Sequence, residues 1–411
     1  MKFYFPDSQD LVDPTFDFIT ETRSPERVRQ RDDRYAHEIF KNPPYDGMLV
    51  SKAVVDGVGG SSGRYTMGQR RRFYFEGARK FLRLQKFPEI KIMGDNGAFT
   101  YVNEEIPPVS VDEVINFYDE CRFDTGFSVD HMILGYDAKY DDKTLIDIVP
   151  VEFQSRQEIT FELGAEFLKQ CNSRKVCFEP IGVAQGWSPK SYANAVKKMQ
   201  SIGYSYIALG GMVALKTKDI RACLSAISEI RKPETRLHIL GASRIDSLEE
   251  FASKGVFSFD STSPLRQAFK EDLDNYYGKQ EKYSAIRIPQ VGINRSLQKL
   301  IQSGEVKQEE ARRLELACLE AVIAFDKRRA KRGDVVRLLK EYQDLYGSRR
   351  DYSDRYDKLL TDKPWKDCPC PVCQTLGIHV VIFRGAERNR RRGFHNLYTT
   401  YKQIQNKQFN S

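Results

Sequence analysis

No run of about 18 consecutive apolar residues occurs in this 411-residue chain, so no membrane-spanning helix is expected. Met1 to Leu11 contains acidic residues and no apolar core, which does not fit a secretory signal peptide. A disulfide framework is also missing. Cys121, Cys171, Cys177, Cys223 and Cys318 are scattered without regular spacing, a pattern suited to a reducing cytosol. The segment Gly57-Val58-Gly59-Gly60-Ser61-Ser62-Gly63 lacks the Gly-Lys-Ser/Thr that would complete a phosphate-binding loop, so it reads as a flexible connection. His37, His131, His238 and His379 stand at no metal-ligand spacing from one another.

What the chain does carry is a C-x-C-x-x-C set, Cys368, Cys370 and Cys373, followed by His395. Three thiolates and one imidazole suit tetrahedral zinc. Four protein ligands leave no position for water, so the metal is expected to be structural and the chemistry to lie elsewhere. The net charge of +8 fits a polyanionic partner. Basic residues cluster at Arg70, Arg71 and Arg72, at Lys327, Arg328, Arg329, Lys331 and Arg332, and at Arg384, Arg388, Arg390, Arg391 and Arg392.

Between residues 48 and 265, short apolar runs alternate with amphipathic stretches. Strands are expected at Met48–Val55, Ile90–Met93, Phe127–Val129, Val176–Val183, Tyr206–Leu209, Leu237–Leu240 and Val256–Phe259, and helices at Val111–Cys121, Tyr192–Ile202 and Ser247–Lys254. Such alternation implies parallel strands, and the number of units favours an α/β fold of the (β/α)8 TIM-barrel type. From Asn294 to Tyr346 the apolar residues recur at helical spacing, as in Leu314, Cys318, Ala321, Val322 and Phe325. Residues 347–366 are polar and read as a loop. The expected organisation is a barrel over 1–290, a helical insertion over 291–365, and a zinc-binding subdomain with a C-terminal helix over 366–411.

The ends of the expected strands carry polar or glycine-bearing motifs: Gly94-Asp95-Asn96-Gly97, Asp130, Gln185-Gly186, Gly210-Gly211, Gly241 and Asp260. In a barrel, all strand C-termini open onto one face, where reactive groups collect.

The ordered set resembles the tRNA-guanine transglycosylase family over most of residues 90–400. Asp95-Asn96-Gly97-Ala98-Phe99 is similar to that family's Asp-Ser-Gly-Gly-Phe segment, and Phe127-Ser128-Val129-Asp130 to the strand ending in its second aspartate. Gln185-Gly186 and Leu209-Gly210-Gly211 resemble its base-binding turns. Phe259-Asp260 with Pro264 and Arg266 resembles the segment of its nucleophile, and Cys368, Cys370, Cys373 and His395 its zinc site. Asn96 and Ala98 depart from the usual serine and glycine. Residues 261–367 also form a much longer connection than in bacterial tRNA enzymes. With the opening Met1-Lys2-Phe3-Tyr4-Phe5-Pro6-Asp7, these departures resemble the DNA-modifying branch of the family.

The resemblance implies exchange of guanine in DNA for a 7-deazaguanine, with 7-cyano-7-deazaguanine as the incoming base. It implies Asp260 as the nucleophile and Asp95 as the general acid and base. Asp130, Gln185, Gly186, Leu209, Gly210 and Gly211 would hold the base. Arg70, Arg71, Arg72, Arg266, Arg390, Arg391 and Arg392 are the expected contacts to the nucleic-acid backbone. The target nucleotide has to leave the stack, a task for this chain or for helper proteins. Three alternatives stay open: the same chemistry on tRNA, a non-catalytic nucleic-acid-binding subunit, and a barrel glycosidase acting on carbohydrate. The oligomeric state is not legible.

Overall fold

The computed structural model describes residues 1–59, 62–142, 149–348 and 350–407. Eight parallel strands close into a barrel in chain order: β1 (Lys2–Pro6), β2 (Gly47–Ser51), β3 (Lys91–Asp95), β4 (Thr125–Phe127), β5 (Glu179–Ala184), β6 (Tyr206–Leu209), β7 (Arg236–Ile239) and β8 (Val256–Asp260). Closure is made by β1 on β8, with Tyr4 opposite Asp260. The (β/α)8 expectation therefore holds. The opening segment supplies β1, a strand absent from the expected set. The expected strand Met48–Val55 is shorter than anticipated. It ends at Ser51, where the helix Lys52–Asp56 takes over.

Strand parity builds the core. Tyr4, Leu49, Met93, Phe127, Ile181, Val183, Tyr206 and Ala208 fill the barrel interior. Side chains of the opposite parity face the surrounding helices. On β3 and β4 that outer face is glycine: a Cβ on Gly94 or Gly126 would lie 2.3 Å from the ring of Tyr118. The two glycines thus form the seat into which the helix Val111–Glu120 presses Tyr118, whose hydroxyl donates to the Phe127 carbonyl at 3.2 Å.

The long helix Val151–Arg174 falls where the alternation places a helix, but its bounds are not legible in the sequence. Its buried positions are Thr160, Gly164, Phe167 and Cys171. They fall at helical spacing, but threonine and glycine do not register as an apolar stripe. Residues 353–367 correct a second expectation. They form the helices Ser353–Asp362 and Pro364–Asp367 rather than a loop, and bury Tyr356, Leu359, Leu360 and Trp365. The helical reading of Asn294–Tyr346 holds, as Arg295–Gln302, Gln308–Asp326 and Arg332–Leu345. No described helix is long and apolar enough to cross a membrane.

The chain divides into two compact units. One comprises residues 1–9, 45–262 and 404–411, and the other 10–44 and 263–403. The boundary after Thr262 precedes the expected one at residue 290, and residues 10–44 join the second unit. Charge pairing accounts for that assignment. Glu21 accepts from Arg384 at 2.7 Å and also from Arg388, while Arg23 and Arg27 pair with Glu387 and Asp13. Phe40 stacks on Tyr398, with ring centroids 5.4 Å apart.

Candidate active site

The parity that fills the barrel also delivers its mouth. Two residues beyond the core side chains Leu49, Met93, Val183 and Ala208 come Ser51, Asp95, Gln185 and Gly210. On β8, Asp260 follows the buried Ser258 by the same step. An alternating strand thus turns from apolar core to polar mouth on one face without changing direction.

Asp95 receives hydrogen bonds from the Gly97 N–H and from Ser51. Gly97 has φ +95°, a left-handed geometry that favours glycine and folds the backbone over the carboxylate. Burial pushes the Asp95 carboxyl up to about 6, and the charges of Asp130 and Asp260 act in the same direction. Asp95 therefore feels two further carboxylates that are distant from it in sequence.

Asp130 is buried and held at both oxygens. Asn96 Nδ2 donates to Oδ1 at 3.0 Å, and Gln185 Nε2 donates to Oδ2 at 2.6 Å. Burial raises the Asp130 pKa, and the two amide donors oppose that shift. The expectation that Gln185 faces a ligand needs amendment, because one of its N–H groups is engaged by Asp130. For the second N–H of this amide no acceptor is found among the described residues. Gly210 donates to the Ala184 carbonyl at 2.9 Å and accepts from Tyr192 Oη at 2.7 Å. The Leu209 carbonyl accepts from the Leu240 N–H at 3.3 Å. A Cβ on Gly210 would sit 2.0 Å from Gln185 Nε2, and one on Gly186 would sit 2.8 Å from Tyr192. Gly211 has φ +73°. These glycines let two backbone turns close around the Gln185 amide.

Asp260 is bound asymmetrically. His238 Nε2 lies 3.1 Å and the Gly241 N–H 2.9 Å from the same oxygen, Oδ1. Among the described residues, no hydrogen bond reaches Oδ2. His238 Nδ1 is 2.6 Å from Ser258 Oγ, which is 2.5 Å from Tyr206 Oη.

Sequence reasoning gave no role to His238, Ser258 or Tyr206, and treated Asn96 only as a departure from a motif. The one available signal was position. His238 sits on the strand beside β8, and the β7–β8 register pairs it with Ser258, two residues before Asp260. Phe99, four residues after Asp95, is 65% exposed.

Of the expected backbone contacts, Arg70, Arg71 and Arg72 lie on the helix Met67–Glu76. Arg70 donates to the Asp56 carbonyl at 3.2 Å and Arg72 pairs with Glu76 at 3.5 Å. Arg71 is exposed, with no charged partner among the described residues. Arg266 is exposed on the helix Ser263–Lys270. The C-terminal cluster is different. Arg392 is fully buried and donates to the carbonyls of Val380, Ile382 and Ala268. Arg391 donates to the Asp13 carbonyl and covers the Phe18 ring, and Arg390 reaches the Leu11 carbonyl at 3.3 Å. A guanidinium enclosed as Arg392 is cannot reach a phosphate, so that expectation is corrected: Arg392 ties backbone segments together. The glycine-rich segment is seen in part, since Gly60 and Ser61 lie outside the described residues.

Cys368, Cys370, Cys373 and His395 converge in the second unit, with all four ligand atoms within 4.8 Å of one another. Their sulfur atoms lie 3.5, 3.4 and 3.3 Å from His395 Nδ1. Ligands about 2.0–2.3 Å from a tetrahedral ion sit roughly 3.5 Å apart along such an edge. His395 Nε2 is 2.8 Å from the Tyr277 carbonyl, which fixes the tautomer and frees Nδ1 for a metal. Tyr276 stacks on the His395 ring at 4.1 Å, and its hydroxyl lies 3.4 Å from Cys373 Sγ. The residues fit a closed four-coordinate metal ion.

The raised Asp95 pKa has a consequence for stability. A folded pKa near 6, above the ordinary value near 3.8, means that protonation of Asp95 favours the fold. This contribution is complete below about pH 4 and is lost as the pH rises through about 6. Asp95→Asn is therefore expected to raise the melting temperature at about pH 8, by the equivalent of at most about 3 kcal/mol, and to match the native chain near pH 4. Paired thermal melts at the two pH values check this; equal melting temperatures at the higher pH would sink it.

No protein-family model matches the chain. A DNA-guanine transglycosylase of Salmonella montevideo is 45% identical to it over 409 residues, a span covering 98% of this chain and 97% of that protein.

Proposed function

The chain belongs to the DNA-guanine transglycosylase family, and from that premise we propose that it exchanges guanine in DNA for a 7-deazaguanine through a covalent aspartyl-sugar intermediate. The observation that carries this reading is the pair of unlike carboxylates at one barrel mouth. Asp95 has a pKa near neutrality, suited to giving and taking protons. Asp260 has one oxygen held by two N–H donors and the other open, suited to a single directed attack.

In the proposed course, Asp260 Oδ2 forms a bond to C1′ of a deoxyguanosine and the bond to the base breaks. The departing guanine takes a proton from Asp95. A 7-deazaguanine, with 7-cyano-7-deazaguanine the favoured base, then occupies the same pocket. Asp95 takes its ring proton, the ring nitrogen bonds to C1′, and the Asp260 carboxylate is released. Asp130 accepts from the donor edge of the base and the free Gln185 N–H meets its carbonyl. The turns at Gly186 and Leu209–Gly211 press close to the ring. Water takes no part, so the strand is not left abasic. The target nucleotide leaves the base stack, with or without helper proteins.

The Cys3His set is proposed to hold zinc, on the softness of three thiolates and one imidazole. Such an ion would tie together residues 368–373 and 395, and no chemical step is assigned to it.

An exchange assay with labelled guanine or 7-cyano-7-deazaguanine tests the function, using duplex DNA and tRNA as separate acceptors. Label in DNA supports the reading, and label confined to tRNA overturns it. Two further outcomes are expected. Gly210→Ala forces the buried Gln185 amide off Asp130 and raises KM for the base about tenfold, the cost of roughly one hydrogen bond; an unchanged KM would remove Gln185 from the pocket. Arg71→Ala lowers the slope of log affinity against log salt by about one, whereas Arg392→Ala leaves the slope unchanged and destabilises the fold. Filter binding across a salt series separates the two.

A further inference from the structure

Asp260 is the end point of a directed chain of donors. A carboxylate only accepts hydrogen bonds, so His238 Nε2 carries the proton in the 3.1 Å contact to Asp260 Oδ1. In the neutral ring, Nδ1 is then the acceptor, and Ser258 Oγ donates to it across 2.6 Å. With its proton used in that way, Ser258 Oγ accepts from Tyr206 Oη at 2.5 Å. The Arg236 guanidinium covers the far end of the chain, 4.4 Å from the centre of the Tyr206 ring. All of these groups lie on β6, β7 and β8.

The imidazole itself is fully buried, with Tyr4 at its edge (6.1 Å) and Phe127 beside it (5.3 Å). A histidine serving only to fill the core would not need both ring nitrogens aligned between a hydroxyl and a carboxylate. The groups facing it are Ser258, Asp260 and the rings of Tyr4 and Phe127; the chain continues through Ser258 to the hydroxyl of Tyr206.

We propose that His238, fixed by Ser258 and Tyr206, is a positioning residue that directs Asp260 Oδ2 at the sugar and eases its later departure. The proposal rests on the reading of Asp260 as the nucleophile. Two donors on Oδ1, from His238 and Gly241, lock the carboxylate rotamer and leave Oδ2 open. When Oδ2 bonds to C1′, Oδ1 becomes the carbonyl oxygen of an ester. In the second half of the exchange the incoming nitrogen bonds to C1′ and the Oδ2–C1′ electron pair returns to the carboxylate. The same two N–H groups then stabilise the returning charge, as preorganised donors do where charge develops. His238 is thus placed to act more strongly on resolution of the covalent intermediate than on its formation.

The test uses the full chain and duplex DNA. Denaturing gels follow adduct formation without added base, and its resolution on adding guanine. His238→Phe keeps the ring and removes both nitrogens. It is expected to lower kcat about 10²-fold, slow resolution more than formation, and leave KM for DNA and guanine within about threefold. His238→Gln, which restores an N–H toward Oδ1, is expected to recover at least about tenfold of that loss. A His238→Phe protein with kcat within about threefold of the native chain overturns the proposal. So do equal losses in the two variants that merely follow the folded fraction seen by near-ultraviolet circular dichroism. Asp260→Ala run alongside identifies the other failure, since exchange by that protein removes the nucleophile and with it the premise.

Discussion

Asp260→Ala should abolish base exchange, with a loss of at least about 10⁴-fold, because the covalent route has no alternative nucleophile. Binding and the remaining electrostatics account for whatever turnover survives. The substitution also leaves the His238 and Gly241 N–H groups without their acceptor, at about 1–3 kcal/mol for each buried donor. Loss of activity in the alanine protein alone would therefore mix chemistry with folding. Asp260→Asn separates them. Its amide oxygen can still accept both N–H groups at the Oδ1 position, yet an amide does not form the ester. The expected pair of results is a near-native melting temperature and no covalent adduct on a denaturing gel. Exchange within tenfold of the native chain by the asparagine protein would assign the nucleophile elsewhere.

Removing the metal should have the largest effect on stability. Structural zinc in small domains contributes on the order of 10–16 kcal/mol of apparent binding free energy, comparable with the whole stability of a domain at about 5–15 kcal/mol. The bracing continues into the residue after His395. The neighbouring Asn396 accepts from the Tyr277 N–H at 3.0 Å and donates to the Pro264 and Asn275 carbonyls, both at 3.1 Å. Loss of the ion would free the start of this bracing and leave the cluster to the Tyr276 stack on His395 and the contact of His395 with the Tyr277 carbonyl. Cys373→Ser, or a strong chelator, is expected to lower the melting temperature by more than about 10 °C. Elemental analysis of the native chain should give one zinc per chain. A zinc-free protein that melts where the native one does would show that the Cys3His cluster is not structural.

Much of this could be read along the chain because it depends on periodicity and local chemistry. Apolar runs such as Tyr206–Leu209 and Val256–Phe259 mark strands wherever they pack. A polar residue closing such a run, as Asp95 and Asp260 do, marks the C-terminal mouth of a parallel barrel. The Cys3His spacing carries its ligand geometry with it. The gaps and errors have the opposite character. The helix Val151–Arg174 buries threonine and glycine, which no hydropathy pattern detects. The segment at 353–367 packs through Tyr356, Leu359 and Trp365 between charged residues that mask them. The arginines 390–392 read as a phosphate-binding patch, but the buried partners of Arg392 are backbone carbonyls remote in sequence.

The sequence by itself determined the barrel and singled out the Cys3His set and the two aspartates at strand ends, because each follows from residue type at short range or from a repeating pattern. Only the tertiary structure decided how those carboxylates are held. The Asn96–Asp130–Gln185 clamp and the Tyr206–Ser258–His238–Asp260 chain are made by residues from different strands. Closing the barrel brings them within hydrogen-bond distance, and hydrogen bonds depend on angstrom-scale distance and direction that a linear order of residues does not encode.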